Sequence, residues 1–418
     1  MSGVQGTVAT LSLSADRDFV LRSARIILLI GAFMVPLTAV RTVAGFPISD
    51  ILVVLALAFS LLSFAPHIPD ARVPRVLLIA SGLAVVATGL LALASEDPTA
   101  ELMVGLRLVF VWAVWGLAVT RLAWTSQHLV ALAGAFVAGC VLSATVAVLQ
   151  FLGLDLRPLF LADLAVDSVR FIGLNGHPNG QGGALAIALT LCVAALIHGR
   201  RRPTAAVSAI ILTFGLLLSA SITAMISAII GFVMVLLLAR RARMLVVGLA
   251  VAVLAFVLYE VLVFVFPGLV TPVDRIPSAT GVTGISTVDI RWRTVEFALA
   301  AIAREPFLGA GFADGGGTFN GETAVHNMVL LAWYQGGALL AAAVTCVIIA
   351  ALICVVRIIR GPLTEALAAA TVASLFFALT GPSLYDRYAW VPVVLLLCAA
   401  RIMRPVNGDN ETWPRSPR

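Results

Sequence analysis

Long apolar stretches alternate with short polar connections along nearly the whole chain. The run 205–238 is too long for one membrane crossing, and we interpret it as two helices joined by a tight turn at Ser219–Ile222. The pattern therefore predicts an all-α polytopic membrane protein with about twelve transmembrane helices. These helices are predicted to begin near Arg25, Phe46, Val76, Leu102, Leu129, Gln181, Thr204, Ile222, Met244, Gly337, Leu363 and Tyr388.

Composition supports a chain that is embedded in a membrane. Hydrophobic residues make up 61% of the 418 residues and charged residues 11%, whereas a soluble domain carries about 25% charged residues. We interpret residues 1–418 as a single integral membrane domain with polar tails at 1–18 and 407–418. The first apolar run is long and lacks a small-residue cleavage site, so we expect no cleavable leader.

The basic residues predict the orientation in the membrane. All 27 are arginine, and the clusters at 200–202 and 240–243 lie on the same side as the N-terminus. By the positive-inside rule, both termini are expected to be cytoplasmic. The net charge of +6 therefore reflects topology, and we expect no nucleic-acid partner.

Two connections are long, and both fall on the outer side in this topology: residues 153–180 and 267–336. The second contains a helical pattern from Asp289 to Ala303, which ends before Pro306 because proline disfavours continuation. A glycine-rich turn at 308–317 follows. A further helix is predicted to begin near His326 and to enter the membrane.

Ionisable groups within the spans lie near the outer surface. Asp50, Arg107 and Glu260 are the main ones, and the middle of the membrane is free of charge, whereas coupled transporters place charges or broken helices there. This pattern favours a site of binding or catalysis at the outer surface of the membrane. The five cysteines lie in apolar runs without metal-ligand spacing, so we expect neither disulfides nor a metal, and we expect no cofactor.

The outer loops carry two residues suited to chemistry. His326 titrates near neutrality and could act as a general base, although a histidine that caps a helix or contacts solvent would look the same. Arg293 could hold phosphate oxygens, or it could pair with Glu296 at the surface. Arg291, two positions earlier, should point in another direction on an ideal helix.

Further positive charge is predicted on the same side. Arg170 begins a glycine-rich segment whose backbone N–H groups could approach an anion, although these could equally be ordinary turn residues. Arg41 and Arg107 add charge, and an arginine inside a membrane span is by default a candidate for function. Together with His326, these groups would suit an anionic lipid such as a polyprenyl diphosphate.

Three segments near the C-terminal third resemble the O-antigen ligase/polymerase family of bacterial membrane glycosyltransferases. They are Arg293 with Glu296-Phe297, the run Glu305–Gly311 (EPFLGAG), and His326-Asn327 ahead of an apolar helix with Gly336-Gly337. Arg170 with Gly173 and Pro178-Asn179 resembles a second signature of that family.

The resemblance implies a GT-C-like fold and an inverting, metal-independent glycosyltransferase. It would move a glycan from undecaprenyl diphosphate, or a similar polyprenyl diphosphate, to a hydroxyl group at the outer face of the bacterial cytoplasmic membrane. His326 would be the base, and Arg293 and Arg170 would hold the diphosphate with help from Arg107, Arg291 and Arg41. The residues expected to shape the loops are Gly173, Pro178, Asn179, Gly309, Gly311 and Asn327.

Several alternatives stay open at this point. The acceptor could be a lipid A core sugar, the end of another lipid-linked glycan, or a hydroxyl of a protein; the protein could also be a transporter or bind lipid without catalysis. Family members often carry a Ser-Arg pair near the outer end of a middle helix, but Ser219–Ile222 contains no arginine. Either Arg107 or Arg41 takes its place, or the diphosphate is bound more weakly or in a different arrangement.

Overall fold

The computed structural model describes most of the chain, and every structural statement below concerns the described part. The described residues are 3–41, 46–62, 73–123, 125–154, 170–199, 202–241, 264, 287–312, 318–319, 323–357 and 361–403. The predicted span beginning at Met244, Glu260, the tail 407–418 and much of both long loops therefore lie outside it.

Helices dominate this part, which confirms the all-α class. Their bounds are α1 Gly3–Met34, α2 Ile48–Leu62, α3 Arg75–Ala94, α4 Pro98–Val109, α5 Trp115–Leu122, α6 Ser126–Phe151, α7 Pro178–Ile197, α8 Arg202–Leu218, α9 Ile222–Leu238, α10 Thr287–Arg304, α11 Met328–Val356, α12 Pro362–Leu379 and α13 Arg387–Ile402. A π-helical segment, Phe110–Val114, joins α4 to α5. A short antiparallel pair, β1 Thr318–Phe319 and β2 Thr323–Ala324, precedes α11.

Among the described residues, fewer helices are able to cross a membrane than the twelve predicted for the whole chain. Within the described ranges, six are long and apolar enough: α3, α4 continued through α5, α6, α7, α11 and α12. The helices α2, α8 and α9 are apolar but have 15 to 17 residues. At about 1.5 Å per residue they fall short of the roughly 30 Å hydrocarbon core. The predicted count of twelve crossings is therefore not reproduced.

The core lies around α7 and α12. Of the 18-residue apolar windows, 72% of the α7 window and 78% of the α12 window are buried inside the protein, against 39% for α3. Helix α13 packs with them and is buried along most of its length. Trp390 of α13 meets Trp112 of the π-helical segment edge to face, with ring centroids 5.2 Å apart. Contacts of this kind hold the peripheral α4–α5 helix against the core.

The predicted tight turn between α8 and α9 is present. Helix α8 ends at Leu218, α9 begins at Ile222, and Ala220 has a positive φ of 47°. The Ser221 hydroxyl accepts from the backbone N–H of Ala224 and so caps α9, a common role for serine. The turn places the first residues of α9 beside those of α7.

The glycine-rich turn after α10 packs against a break in α11. Gly336 and Gly337 leave helical geometry, which frees the carbonyls of the preceding turn. The backbone N–H groups of Ala310 and Gly311 donate to the carbonyls of Tyr334 and Gln335, at 2.7 and 3.0 Å. Backbone groups freed inside a membrane need such partners, so this turn is part of the helix bundle.

Candidate active site

A cleft of about 840 Å³ opens at one end of the helix bundle. Its walls come from elements far apart in sequence: the α1–α2 loop, the segment leading into α7, the start of α9, α10, the segment before α11, and the α12–α13 turn. The residues that carry polar or charged groups into it include Thr38, Arg41, His177, Asn179, Thr223, Arg291, His326, Thr380, Ser383, Asp386, Arg387 and Tyr388.

Four helices begin at this cleft, which favours an anionic ligand. Helices α7, α9 and α13 present residues of their first turn to it through Asn179, Thr223 and Arg387, and α11 begins just after His326, the residue before its N-cap. The N-terminus of a helix carries partial positive charge and N–H groups without helical partners. The cleft is thus suited to phosphate even before the arginine side chains are counted.

His326 is placed in the cleft immediately before α11 and is half-buried. Its Nδ1 lies 2.7 Å from the carbonyl oxygen of Ala324. Because a carbonyl oxygen can only accept a hydrogen bond, Nδ1 must carry the proton. In the neutral ring Nε2 then holds a lone pair, as a general base requires.

The surroundings keep this imidazole neutral. Burial lowers the pKa of His326 below its usual 6.5, and the charge of Arg291 lowers it further, while the hydrogen bond to Ala324 acts in the opposite direction. His177 contributes a smaller lowering. At neutral pH the ring is therefore able to accept a proton.

Asn327 fixes the backbone that carries His326. Its side-chain oxygen accepts from the backbone N–H groups of Val329 and Leu330, each at 3.0 Å, and caps α11. Its side-chain nitrogen donates to the carbonyl of Leu379 at the end of α12, at 3.0 Å. One residue thus ties the predicted base to two helices.

Arg291, and not Arg293, enters the cleft from α10. Arg291 donates from Nη1 to the hydroxyl of Thr223 at 3.0 Å, whereas Arg293 is exposed and does not line the cleft. Arg291 shares the packed face of α10 with the fully buried Thr294 and Ala298, and the spacing i, i+3, i+7 marks one face of a helix. This spacing is readable in the sequence and places Arg291, predicted only to assist Arg293, on the packed face of the helix.

Arg170 lies outside the cleft and contacts a residue that lines it. Its guanidinium donates from Nη2 to the side-chain oxygen of Asn179 at 2.7 Å and from Nε to the carbonyl of Ser219 at 3.0 Å. It does not line the cleft, but Asn179 does. Arg170 therefore links the first turn of α7 to the α8–α9 turn.

The predicted loop-shaping residues before α7 form its entry. Pro178 is the first residue of α7, a position that suits proline because its missing N–H has no helical partner there. Gly173 has a φ of +56°, and a Cβ there would lie 2.3 Å from the carbonyl of Ser143. Only glycine tolerates both this positive φ and this close approach to the Ser143 carbonyl.

Gly309 and Gly311 act at a distance from the cleft. A Cβ on Gly309 would overlap the broken backbone of α11. The buried Glu101 of α4 accepts from the backbone N–H of Phe312 at 2.7 Å, beside Gly311. These residues hold the turn against α11 and do not touch the cleft.

The two remaining predicted arginines differ in placement. Arg41 lines the cleft and is exposed, and its Nε donates to the carbonyl of Thr38 at 3.0 Å. Arg107 does not line it, although its charge interacts with those of Arg387 and Asp50. Helix α4 begins at Pro98, four residues earlier than predicted, so Arg107 lies nine residues in, or about 14 Å at about 1.5 Å per residue.

Sequence reasoning predicted a helix beginning near Tyr388 but missed the polar contacts at the start of α13. Arg387 forms a two-point ion pair with Asp50 of α2, with Nε to Oδ1 at 2.6 Å and Nη2 to Oδ2 as the second contact. Beside it, the hydroxyl of Tyr388 donates to Asp386 at 2.6 Å. The signal was the polar run Tyr385–Tyr388 between two apolar stretches.

Among the described residues, no group of three or more His, Cys, Asp or Glu side chains is placed to hold a metal ion. The expectation of a metal-independent reaction stays a prediction. Besides hydroxyl and amide groups, the cleft offers guanidinium groups, helix N-termini, imidazoles and one carboxylate.

Apolar helices that enclose a charged cleft at one end define a polytopic membrane protein with a surface-level polar site. Residues 206–345 match the family model described as O-antigen ligase. The resemblance read from the sequence is thereby confirmed, and the matched stretch includes α9, α10, His326 and the break in α11. The family implies a ligase- or polymerase-like membrane glycosyltransferase whose partners are a lipid-linked glycan and an acceptor. Curated proteins gave no match.

Proposed function

We propose that the protein transfers a glycan from a polyprenyl diphosphate to an acceptor hydroxyl group in this cleft, as an O-antigen ligase would. The observation that carries the proposal is the geometry at His326. Its Nδ1 is committed to Ala324 at 2.7 Å, and Nε2 remains available in a cleft shared with Arg291.

In the proposed reaction, Nε2 of His326 takes the proton of the acceptor hydroxyl. The oxygen forms a bond to the anomeric carbon while the bond from that carbon to the diphosphate oxygen breaks. The diphosphate leaves with the electron pair, and attack from the opposite face inverts the anomeric centre. The imidazolium then returns its proton to solvent through the open mouth of the cleft.

Arg291 is the proposed partner of the diphosphate. Its guanidinium presents a planar fork suited to phosphate oxygens, and charge that is already in place is the main means of stabilising a leaving anion. It reaches Thr223, two residues after Ser221. Arg291 thus brings a guanidinium group from α10 to the helix start where the family's Ser-Arg pair is missing.

Arg41 and the N-termini of α7, α9 and α11 would complete the anion site, and Arg170 would act through Asn179. We further propose that the cleft faces the outer side of the bacterial cytoplasmic membrane with both termini inside. On that side it would meet lipid-linked glycans that have already been translocated. No step in this scheme uses a metal or a cofactor.

The test is a deletion strain that is complemented with the wild type or with His326→Ala. We expect the variant to insert normally and to lose transfer, because it lacks the imidazole nitrogen that is proposed to take the proton of the acceptor. Glycans are read on a gel: unattached long lipid-linked chains indicate a ligase, single repeat units a polymerase, and an unglycosylated protein a protein-directed transferase. A wild-type glycan profile from His326→Ala contradicts the proposal.

A further inference from the structure

The α12–α13 turn contributes a carboxylate to the cleft that the reaction scheme has not used. Asp386 lines the cleft and is half-buried. It is the N-cap residue of α13, yet its side chain makes no capping hydrogen bond. Aspartate is among the most favourable N-cap residues because its side chain normally caps the helix, so its orientation here calls for another explanation.

Two neighbouring hydroxyl groups hold the Asp386 carboxylate in this orientation. Tyr388 donates to Oδ2 at 2.6 Å, and Ser383 donates a second side-chain hydrogen bond. Both neighbours also line the cleft. An ionised carboxylate offers about four acceptor positions, so two bonds leave room for a ligand.

The proposed base and Asp386 line the same cleft from different elements. The backbone N–H of His326 contacts Thr294 of α10, the helix that carries Arg291, whereas Asp386 belongs to the α12–α13 turn and is bonded to Tyr388 of α13. The charge of His177 acts on both His326 and Asp386. We call the part of the cleft with Arg291 and His326 the reaction end and the part with Asp386 the second end.

The chemistry of Asp386 selects its ligand. A carboxylate accepts hydrogen bonds and repels phosphate, so it cannot belong to the diphosphate site. Burial raises the pKa of Asp386 from 3.8, while the bonds from Tyr388 and Ser383 oppose the rise. The N-terminus of α13 also favours the negative charge. The ligand must therefore bring a hydrogen-bond donor, and a glycan is rich in hydroxyl groups.

We propose that Asp386 binds a second hydroxyl group of the acceptor while His326 deprotonates the first, which makes the acceptor a sugar. A sugar carries several hydroxyl groups on one ring and can offer one to each end of the cleft, whereas a serine or threonine side chain offers a single hydroxyl group. The inference rests on the proposed function, because it assumes that transfer takes place at His326. It narrows the acceptor to a glycan and separates ligase or polymerase activity from protein glycosylation.

The experiment measures transfer with purified protein in proteoliposomes that are fused to vesicles from the deletion strain, which supply donor and acceptor. Asp386→Asn keeps the shape of the side chain and removes the charge. We expect the acceptor amount for half-maximal transfer to rise about ten- to a hundredfold, as for loss of a bond to a charged group, with a nearly unchanged limiting rate. Glu96→Gln, which changes an exposed carboxylate in the α3–α4 turn, should match the wild type.

Two further measurements distinguish loss of acceptor binding from loss of donor binding. Competition by geranylgeranyl diphosphate measures binding at the proposed diphosphate site. This competition should be the same in the wild type and in Asp386→Asn. The transferred glycan should survive proteinase K, as expected for attachment to a sugar. A product destroyed by the protease, an unchanged acceptor requirement, or an equal loss of geranylgeranyl diphosphate binding would each overturn the inference.

Tyr388→Phe keeps the ring and removes the hydroxyl group that holds Asp386. Tyr388→Phe should raise the acceptor amount for half-maximal transfer by a smaller factor. If the Asp386→Asn protein does not accumulate, Tyr388→Phe provides the test of the inference. An unchanged requirement in Tyr388→Phe would then overturn the inference. His326→Ala separates the two proposals: it should lose transfer at every acceptor amount, and normal transfer in that variant would contradict the proposed function whatever Asp386 does.

Discussion

At the residue scale, two arginines on one helix occupy different environments although they are two positions apart. Arg291 is half-buried, lines the cleft and bonds to Thr223. Arg293 is exposed on the other side of α10. Successive helical residues turn by about 100°, so a two-residue step places the second guanidinium on nearly the opposite face.

We expect Arg291→Ala to reduce transfer about a hundredfold or more, the loss seen when one preorganised stabilising group is removed from an active site. Arg293→Ala, the matched control on the same helix, should stay within about threefold of the wild type. The transfer rates of the two variants are measured in the vesicle assay and compared with that of the wild type. The opposite order of effects would assign the diphosphate to the exposed face of α10.

The pH dependence of transfer should report on His326. Protonated imidazole cannot take a proton, so the rate should rise with pH through the lowered pKa of His326 and level off by neutrality. The midpoint is expected below 6.5, because burial and Arg291 both lower this pKa. Rates measured from pH 5 to 8 at saturating acceptor test this expectation. A midpoint at or above 6.5 would mean that another group controls the rate.

At the element scale, the broken helix α11 depends on a glycine. Gly337 has a φ of +63°, and a Cβ there would overlap the carbonyl of Phe307. Gly337→Ala should therefore displace the 307–311 turn and destabilise the protein by about 1–3 kcal/mol. Gly134→Ala is the matched control, because nothing lies within 4 Å of the added methyl in α6. Thermal unfolding in detergent should show a lower midpoint for Gly337→Ala alone.

Local patterns predicted several elements well. The helix expected over 289–303 is α10, the turn at 219–222 is present, and the helix expected near His326 begins at Met328. These depend on apolar periodicity, proline and glycine, which act over a few residues. The lengths of the spans were less predictable: among the described residues six helices are long and apolar enough to cross a membrane, whereas twelve spans were expected for the whole chain.

The candidate site was predicted in part. His326 stood out as a titratable group in an outer loop, whereas the pairing of Asp50 with Arg387 joins residues 337 positions apart. The contact of Arg170 with Ser219 is likewise set by how the helices pack. Contacts between residues far apart in the sequence leave no local pattern. The sequence therefore indicated which residues could be functional, but it did not indicate which residues they contact.

At the scale of the whole molecule, every element that reaches the cleft does so at the same end of the bundle. In the proposed topology this end faces outward together with the α3–α4 turn. We expect Glu96→Cys, in a variant without other cysteines, to react with a membrane-impermeant thiol reagent added to intact spheroplasts. Arg202→Cys, at the start of α8, should react only after the membrane is opened. The reverse pattern would invert the topology.

The backbone N–H of His326 lies 3.4 Å from the hydroxyl of Thr294, which itself donates to the carbonyl of Arg291 at 2.7 Å. The proposed base and the proposed anion-binding arginine are thereby fastened to each other through α10, and Asn327 fastens the same backbone to the end of α12. Hydrogen bonds within the protein, and not the glycan that enters the cleft, therefore set the spacing between the two groups. Glycans of different size would then meet the same reacting geometry.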